Sequence, residues 1–168
     1  MSMDNLAIVN RIIEEHGAIR SHLKLIGDTV NDRESLAVLA EIRSGWVPGR
    51  LDILVNKQKQ LRQAAALLTE GLNNHFYYEE KTLPSLLGES LMRAILLDHQ
   101  EIKKELAHAG QLMEEGHLEG LSREEILVSE LRIQQVANSI ARIIEEHASR
   151  EEVLLKMLQR GLREKPGS

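Results

Sequence analysis

HFYYEEKTL, at residues 75–83, shares the pattern HxxxEExxL with HASREEVLL, at residues 147–155. Residues four apart lie one above the other on the same face of an α-helix, so each copy places an imidazole beside a carboxylate. The two pairs are His75 with Glu79 and His147 with Glu151. One such pair arises easily by chance in a helix rich in glutamate. Two copies, each within the apolar stripe of a long helix, indicate the two halves of a metal site.

Apolar residues recur at steps of three and four along four stretches of the chain, which is the spacing of amphipathic helices. The first stretch begins near Asp4, a good N-cap residue, the second near Arg50 and the third by Ser90. The fourth follows the capping box SREE at 122–125. Long helices with short connections predict an all-α, up-down-up-down four-helix bundle. A short extra helix or connector is expected between helices 1 and 2, at 31–48.

Proline and glycine mark the expected helix ends. Pro84 lacks a backbone donor and Gly88 suits a C-terminal cap, so helix 2 should end between them. Helix 4 should fade at Gly161, before a loose tail at 163–168. A chain of 168 residues is long enough for a core that is stable without staples, and we expect one domain over 1–168.

The composition limits the chemistry. The chain has no cysteine, which excludes disulfides, iron–sulfur clusters and thiolate zinc sites, so any metal must be held by nitrogen and oxygen. The net charge is -5, and acids and bases are interleaved without the basic block of a nucleic-acid-binding arm. We find neither a signal peptide nor an apolar run of about 18 residues. The expectation is a cytoplasmic protein with no membrane span and no nucleic-acid partner.

Two further histidines, His16 and His99, lie in the apolar stripes of helices 1 and 3. In an up-down-up-down bundle, helices 1 and 3 start at the end where helices 2 and 4 finish. At about 1.5 Å per residue, all four histidines then fall roughly 14–21 Å from that end. The sequence therefore predicts one inward layer made of His16, His75, Glu79, His99, His147 and Glu151.

Such a layer is expected to bind a cation. Unpaired carboxylates and imidazoles destabilise an apolar core, whereas coordination makes the same groups stabilising. Six ligands are too many for one tetrahedral zinc. Two six-coordinate non-haem iron ions could share them through two bridging carboxylates and one bridging oxo or hydroxo group, with about two positions left open. The alternative is a purely structural role, in which each histidine forms a hydrogen bond in the core and no metal is bound.

The order of these residues, H-HxxxE-H-HxxxE, resembles the signature of the hemerythrin-like (HHE cation-binding) family over nearly the whole chain. The resemblance implies a four-helix bundle with a carboxylate-bridged di-iron site. The four histidines would be terminal ligands, and Glu79 and Glu151 the bridges. Oxygen-carrying hemerythrins have a further histidine one turn after the third-helix histidine, where this chain has Lys103. That departure moves the expectation from oxygen carriage towards sensing, nitric-oxide or peroxide chemistry, or repair of iron centres.

Three classes of function remain open from the sequence. The leading hypothesis is a di-iron protein that binds dioxygen, nitric oxide or peroxide for sensing, storage or scavenging, with a homodimer as a compatible assembly. In the second, the same centre is enzyme-like and turns over peroxide or nitric oxide, or donates iron for iron-centre repair. The third is a metal-free adaptor, such as a phosphotransfer domain with one exposed histidine, which leaves Glu79 and Glu151 unexplained.

The remaining candidate residues have weaker patterns. His22, His108 and His117 lie off the inward stripe or in a loop and are expected at the surface. Tyr78 could donate a hydrogen bond to a ligand, although packing at the edge of the core is favoured. Lys103 could face a bound anion or be solvated.

Overall fold

The computed structural model describes residues 2–30, 51–115 and 121–164, and all of its regular elements in these ranges are helices. They are α1 (Ser2–Val30), α2 (Leu51–Thr82), α3 (Pro84–Leu87), α4 (Glu89–Glu115) and α5 (Arg123–Arg163). The prediction of an all-α fold is confirmed for these residues. The extra helix or connector predicted at 31–48 lies outside the described residues, and so do residues 165–168 of the predicted tail.

Two helix ends differ from the prediction. The first helix begins at Ser2 rather than near Asp4. The last helix continues through Gly161 to Arg163. A glycine inside a helix costs about 1 kcal/mol relative to alanine, but Leu162 packs beside Leu158 against the core and favours another helical turn.

The predicted breaks lie at the expected places. Pro84 opens the short helix α3, and Gly88 closes it with a φ of 80°, which suits a residue without a side chain. The Ser122 hydroxyl accepts a hydrogen bond from the Glu125 backbone N–H at 3.2 Å and caps the start of α5. These breaks set where α2, α4 and α5 start or end, and so where their ligand residues fall.

Four long helices pack side by side. α1 contacts α2 and α5, and α4 contacts the same two helices. Four apolar clusters lie between them, and the two largest flank the predicted ligands. One cluster contains Ile19, Leu72, Ile102 and Ile144, together with Leu68, Phe76, Leu106, Ala109 and Ile140. The other contains Ile12, Leu83, Ile95 and Leu155, together with Val9 and Met92.

The predicted ligands lie between these two clusters on every long helix. On α1, for example, His16 falls between Ile12 of one cluster and Ile19 of the other. His99 falls likewise between Ile95 and Ile102 on α4. The polar layer is thus enclosed by apolar side chains along the helix axes.

Each long helix has a polar face opposite its buried stripe. On α5, Ile133, Ile140 and Ile144 are buried, whereas Arg132 and Glu146 are exposed. Within the described ranges, no helix is both long enough and apolar enough to cross a membrane.

Candidate metal centre

The six predicted side chains meet in the protein interior, and each is at most 3% exposed. They form two overlapping groups, in each of which the ligand atoms lie within 4.8 Å of one another. One group comprises His16, His75, Glu79 and Glu151, and the other Glu79, His99, His147 and Glu151. Each group could hold a metal ion. The structure therefore brings together the six residues that the sequence places in one layer.

Glu79 belongs to both groups and divides its oxygens between them. Its Oε1 lies 2.6 Å from Nε2 of His75 and 3.5 Å from Nε2 of His16. Its Oε2 lies 2.9 Å from Nε2 of His99. The two oxygens thus face imidazoles that belong to different groups.

Glu151 divides its oxygens in the same way. Its Oε1 is 3.3 Å from Nε2 of His16, and its Oε2 is 3.2 Å from Nε2 of His147. Each of the two carboxylates therefore lies between the two histidine pairs.

Eight atoms of this layer are buried without a hydrogen-bond partner among the described residues. They are the Nε2 atoms of the four histidines and all four carboxylate oxygens of Glu79 and Glu151. Several of them lie 2.6–3.5 Å from one another. Buried polar atoms are nearly always satisfied, and a bound cation would satisfy the unpartnered ones here. Imidazole and carboxylate donors without thiolate suit iron, manganese or zinc.

The Nδ1 atom of each histidine, which points away from the layer, forms a hydrogen bond with one further carboxylate. These four are called the outer carboxylates. Since an ionised carboxylate only accepts, each Nδ1–H donates and leaves Nε2 free to face the layer. The four bonds are His16 to Glu152 at 3.3 Å, His75 to Glu15 at 2.7 Å, His99 to Glu80 at 2.9 Å and His147 to Asp98 at 3.0 Å. This orientation is common for metal-binding histidines.

These four bonds run around the helices in one direction. The carboxylates of α1, α2, α4 and α5 reach the histidines of α2, α4, α5 and α1 respectively. The outer carboxylates were not predicted from the sequence, although a signal exists. Glu15 and Asp98 precede an inward histidine, and Glu80 and Glu152 follow an inward glutamate. A direct neighbour points about 100° away from an inward residue and so towards the next helix.

The buried carboxylates raise the pKa values of three histidines in the layer. Burial lowers the pKa of His16, but the carboxylates of Glu151 and Glu79 outweigh burial and raise it to about 9. Burial likewise opposes a rise at His75 and His147, yet Glu79 and Glu151 respectively raise their pKa values. Burial raises the pKa of Glu79, but the surrounding histidines bring it well below its ordinary value. In the absence of metal, these shifts favour a positive charge on His16, His75 and His147 beside an ionised Glu79.

Metal binding should release protons and weaken as the pH falls. The raised pKa of His16 means that its proton stabilises the metal-free fold fully below about pH 6.5 and that this stabilisation is lost as the pH rises through about 9. We expect cobalt(II) affinity to increase from about pH 6 to about pH 8, with protons released on binding. Calorimetry in buffers of different ionisation enthalpy measures both quantities. A pH-independent affinity without proton release would contradict the charge state described above.

The remaining sequence candidates lie outside the layer. His22 and His108 are exposed, as predicted, and His117 lies outside the described residues. The Tyr78 ring packs beneath the Arg11 guanidinium at 3.7 Å and against the apolar core, which favours its packing role. Lys103 is exposed, with its ammonium 5.9 Å from the Phe76 ring.

Comparisons with models of protein families, with curated proteins and with solved structures find no match to this chain. The buried layer and the sequence motif that produces it are therefore the features that bear on function.

Proposed function

We propose that this chain is a hemerythrin-like protein that holds two non-haem iron ions and binds dioxygen, nitric oxide or peroxide for sensing, storage or scavenging. The observation that carries the proposal is the sharing of Glu79 and Glu151 between two histidine pairs. One ion would leave half of these imidazoles and carboxylate oxygens unsatisfied. Two ions would give every one of the eight unpartnered atoms a ligand role.

We further propose that the four long helices run up-down-up-down, as this family requires. Cross-helix contacts support antiparallel neighbours, because residue numbers rise on one helix while they fall on the other. Between α1 and α5, the pairs are Asn10 with Gln159, His16 with Glu152 and Arg20 with Glu145. Between α1 and α2, they are Arg11 with Tyr78 and Glu15 with His75. Between α2 and α4, they are Phe76 with Lys103 and Glu80 with His99.

Iron would supply a redox-active centre with open coordination positions for a small ligand. The chain's own residues prepare that chemistry. The outer carboxylates keep a proton on each Nδ1 and so present Nε2 to the layer. The Phe76 ring stacks on the His99 imidazole at 3.9 Å, with 16° between the ring planes, and is 1% exposed. Phe76 thereby keeps water from one side of the layer and holds the His99 ring in place.

Lys103 stands where oxygen carriers have a further histidine. Its exposed side chain adds no donor to the buried layer, which supplies six residues as ligands. Two six-coordinate irons need about twelve bonds, more than four imidazoles and two bridging carboxylates provide. The shortfall supports open positions for a small ligand.

Anaerobic protein loaded with ferrous iron should change its optical spectrum on mixing with at least one of nitric oxide, dioxygen and hydrogen peroxide. A change that saturates at a fixed ratio to protein, and that reverses when nitric oxide is removed, supports binding for sensing or storage. Consumption of many equivalents of peroxide or nitric oxide would instead support the enzyme-like alternative. An unchanged spectrum with all three, in protein shown to contain iron, would overturn the proposed ligand binding.

A further inference from the structure

The outer carboxylates differ in their cationic partners. Glu152 accepts a hydrogen bond from Arg20 Nη1 at 2.5 Å, and Lys156 lies 3.9 Å from its other oxygen. Glu15 pairs with Arg11 at 3.1 Å, and Asp98 pairs with Arg150 at 2.8 Å. Glu80 has no cationic partner within the described ranges apart from His99 itself.

These cations also differ in how strongly solvent screens them. The Arg20 side chain is 34% exposed and its partner Glu152 only 14%. Arg11 and Arg150 are 56% and 61% exposed, so their charges are more screened. Glu145 also accepts hydrogen bonds from Arg20, but Glu145 is 48% exposed and its charge is correspondingly screened. The compensation of an outer carboxylate's negative charge by a nearby cation is therefore strongest at Glu152.

The two histidine pairs consequently have unequal surroundings. Both outer carboxylates of the His16 and His75 pair have an arginine partner. In the His99 and His147 pair, Asp98 has only the exposed Arg150, and Glu80 has none among the described residues. A carboxylate that accepts a hydrogen bond from Nδ1–H makes the Nε2 atom of the same histidine a stronger metal ligand. An arginine paired with that carboxylate reduces this gain in ligand strength. Lys103, one turn after His99, lies near the Phe76 ring, and its exposed ammonium is screened.

We propose that the two metal positions differ in the ion charge that they prefer. The position at His99 and His147 favours the trivalent ion, and the position at His16 and His75 favours the divalent ion. This inference rests on the proposed two-metal function and adds a fixed order to it. In a half-oxidised di-iron centre, the ferric ion would lie beside His99 and His147, and the ferrous ion beside His16 and His75.

The test loads the metal-free full chain with one equivalent of gallium(III), as its citrate complex, and one of zinc(II). Both ions are redox-inert, so no electron transfer can exchange the two charges between positions. Anomalous diffraction at the gallium and zinc edges then identifies each ion in the crystal. We expect gallium at the His99 and His147 position with a preference of about tenfold, the scale on which outer partners alter metal binding.

Two arginine variants should change that preference in opposite directions. Arg20→Gln removes the compensation at Glu152 and should reduce the gallium preference for His99 and His147. Arg150→Gln removes the compensation at Asp98 and should increase it, although by less because Arg150 is more exposed. General loosening of the fold would not produce opposite signs. Arg93→Gln, in an exposed pair with Glu89, is the matched control and should change nothing.

Glu80→Gln should bring the gallium ratio close to one, because it removes the uncompensated charge while an amide oxygen can still accept from His99. If this variant loses metal or fails to fold, the arginine variants decide the question with every carboxylate in place. Two bound ions with gallium spread evenly, or enriched at His16 and His75, would overturn this inference and leave the proposed function standing. A parent chain that binds one ion or none would overturn both.

Discussion

Glu79→Ala should lose nearly all bound iron, together with the spectral response to nitric oxide or peroxide. Glu79 is fully buried and supplies one oxygen to each histidine pair, so the substitution removes a ligand from both positions at once. Loss of an outer partner typically costs 10-fold to about 100-fold in metal affinity, and loss of a shared direct ligand should cost more. Metal analysis of protein reconstituted anaerobically measures the effect.

Matched variants separate this effect from the general loss of a glutamate or histidine. Glu70→Ala removes an exposed glutamate from the same helix and should retain the parent iron content. His22→Ala, which removes an exposed histidine from α1, should also retain it. Parent-like iron in Glu79→Ala, or iron loss in His22→Ala, would show that the bridging assignment is wrong.

Removal of the metal should lower the thermal midpoint of unfolding by about 8–16 °C. Buried polar atoms without partners cost about 1–3 kcal/mol each, and protons on the histidines offset only part of that cost in the eight atoms of this layer. A ligand present at about 1,000 times its dissociation constant stabilises the fold by about 4 kcal/mol. For a chain of this size, about 1 kcal/mol corresponds to about 2–4 °C.

Circular dichroism of chelated and reconstituted protein measures this difference, and restored iron should recover the original midpoint. The difference should also grow between about pH 6.5 and about pH 9, since deprotonation of His16 destabilises only the metal-free form. An unchanged midpoint in protein shown to have lost its iron would contradict the need of the buried layer for a cation.

The inward layer could be predicted because it depends on local periodicity. The spacing of four between His75 and Glu79 fixes their common face, whatever the rest of the chain does. His16 and His99 required one further step, the distance of each along its helix. Buried isoleucines flank both histidines, which explains why both lie inside the protein.

The outer carboxylates depend on which helices are neighbours, and that is not a local property. Glu15 accepts a hydrogen bond from His75 on α2 rather than from the adjacent His16, because its side chain points towards α2. Glu80 looks like an ordinary surface glutamate until α4 is placed beside α2. The second glutamate of each HxxxEE motif was a signal for an outer carboxylate. The histidine that it contacts could not be assigned from sequence alone.

A buried ion pair between α2 and α5 was missed for the same reason. Lys57 and Glu130 are 6% and 4% exposed, and Lys57 Nζ donates to Glu130 at 2.6 Å. Gln58 donates to the other oxygen at 3.2 Å and completes the pairing. Charged residues are rarely buried unless they are paired, and the sequence does not show that these two positions meet.

Iron content per chain tests the central claim most directly. The full chain, stripped of metal, reconstituted anaerobically with ferrous iron and freed of excess, should contain close to two irons, because two histidine pairs share Glu79 and Glu151. A stoichiometry fixed at one iron, or tightly held zinc that does not exchange for iron, would contradict the di-iron centre.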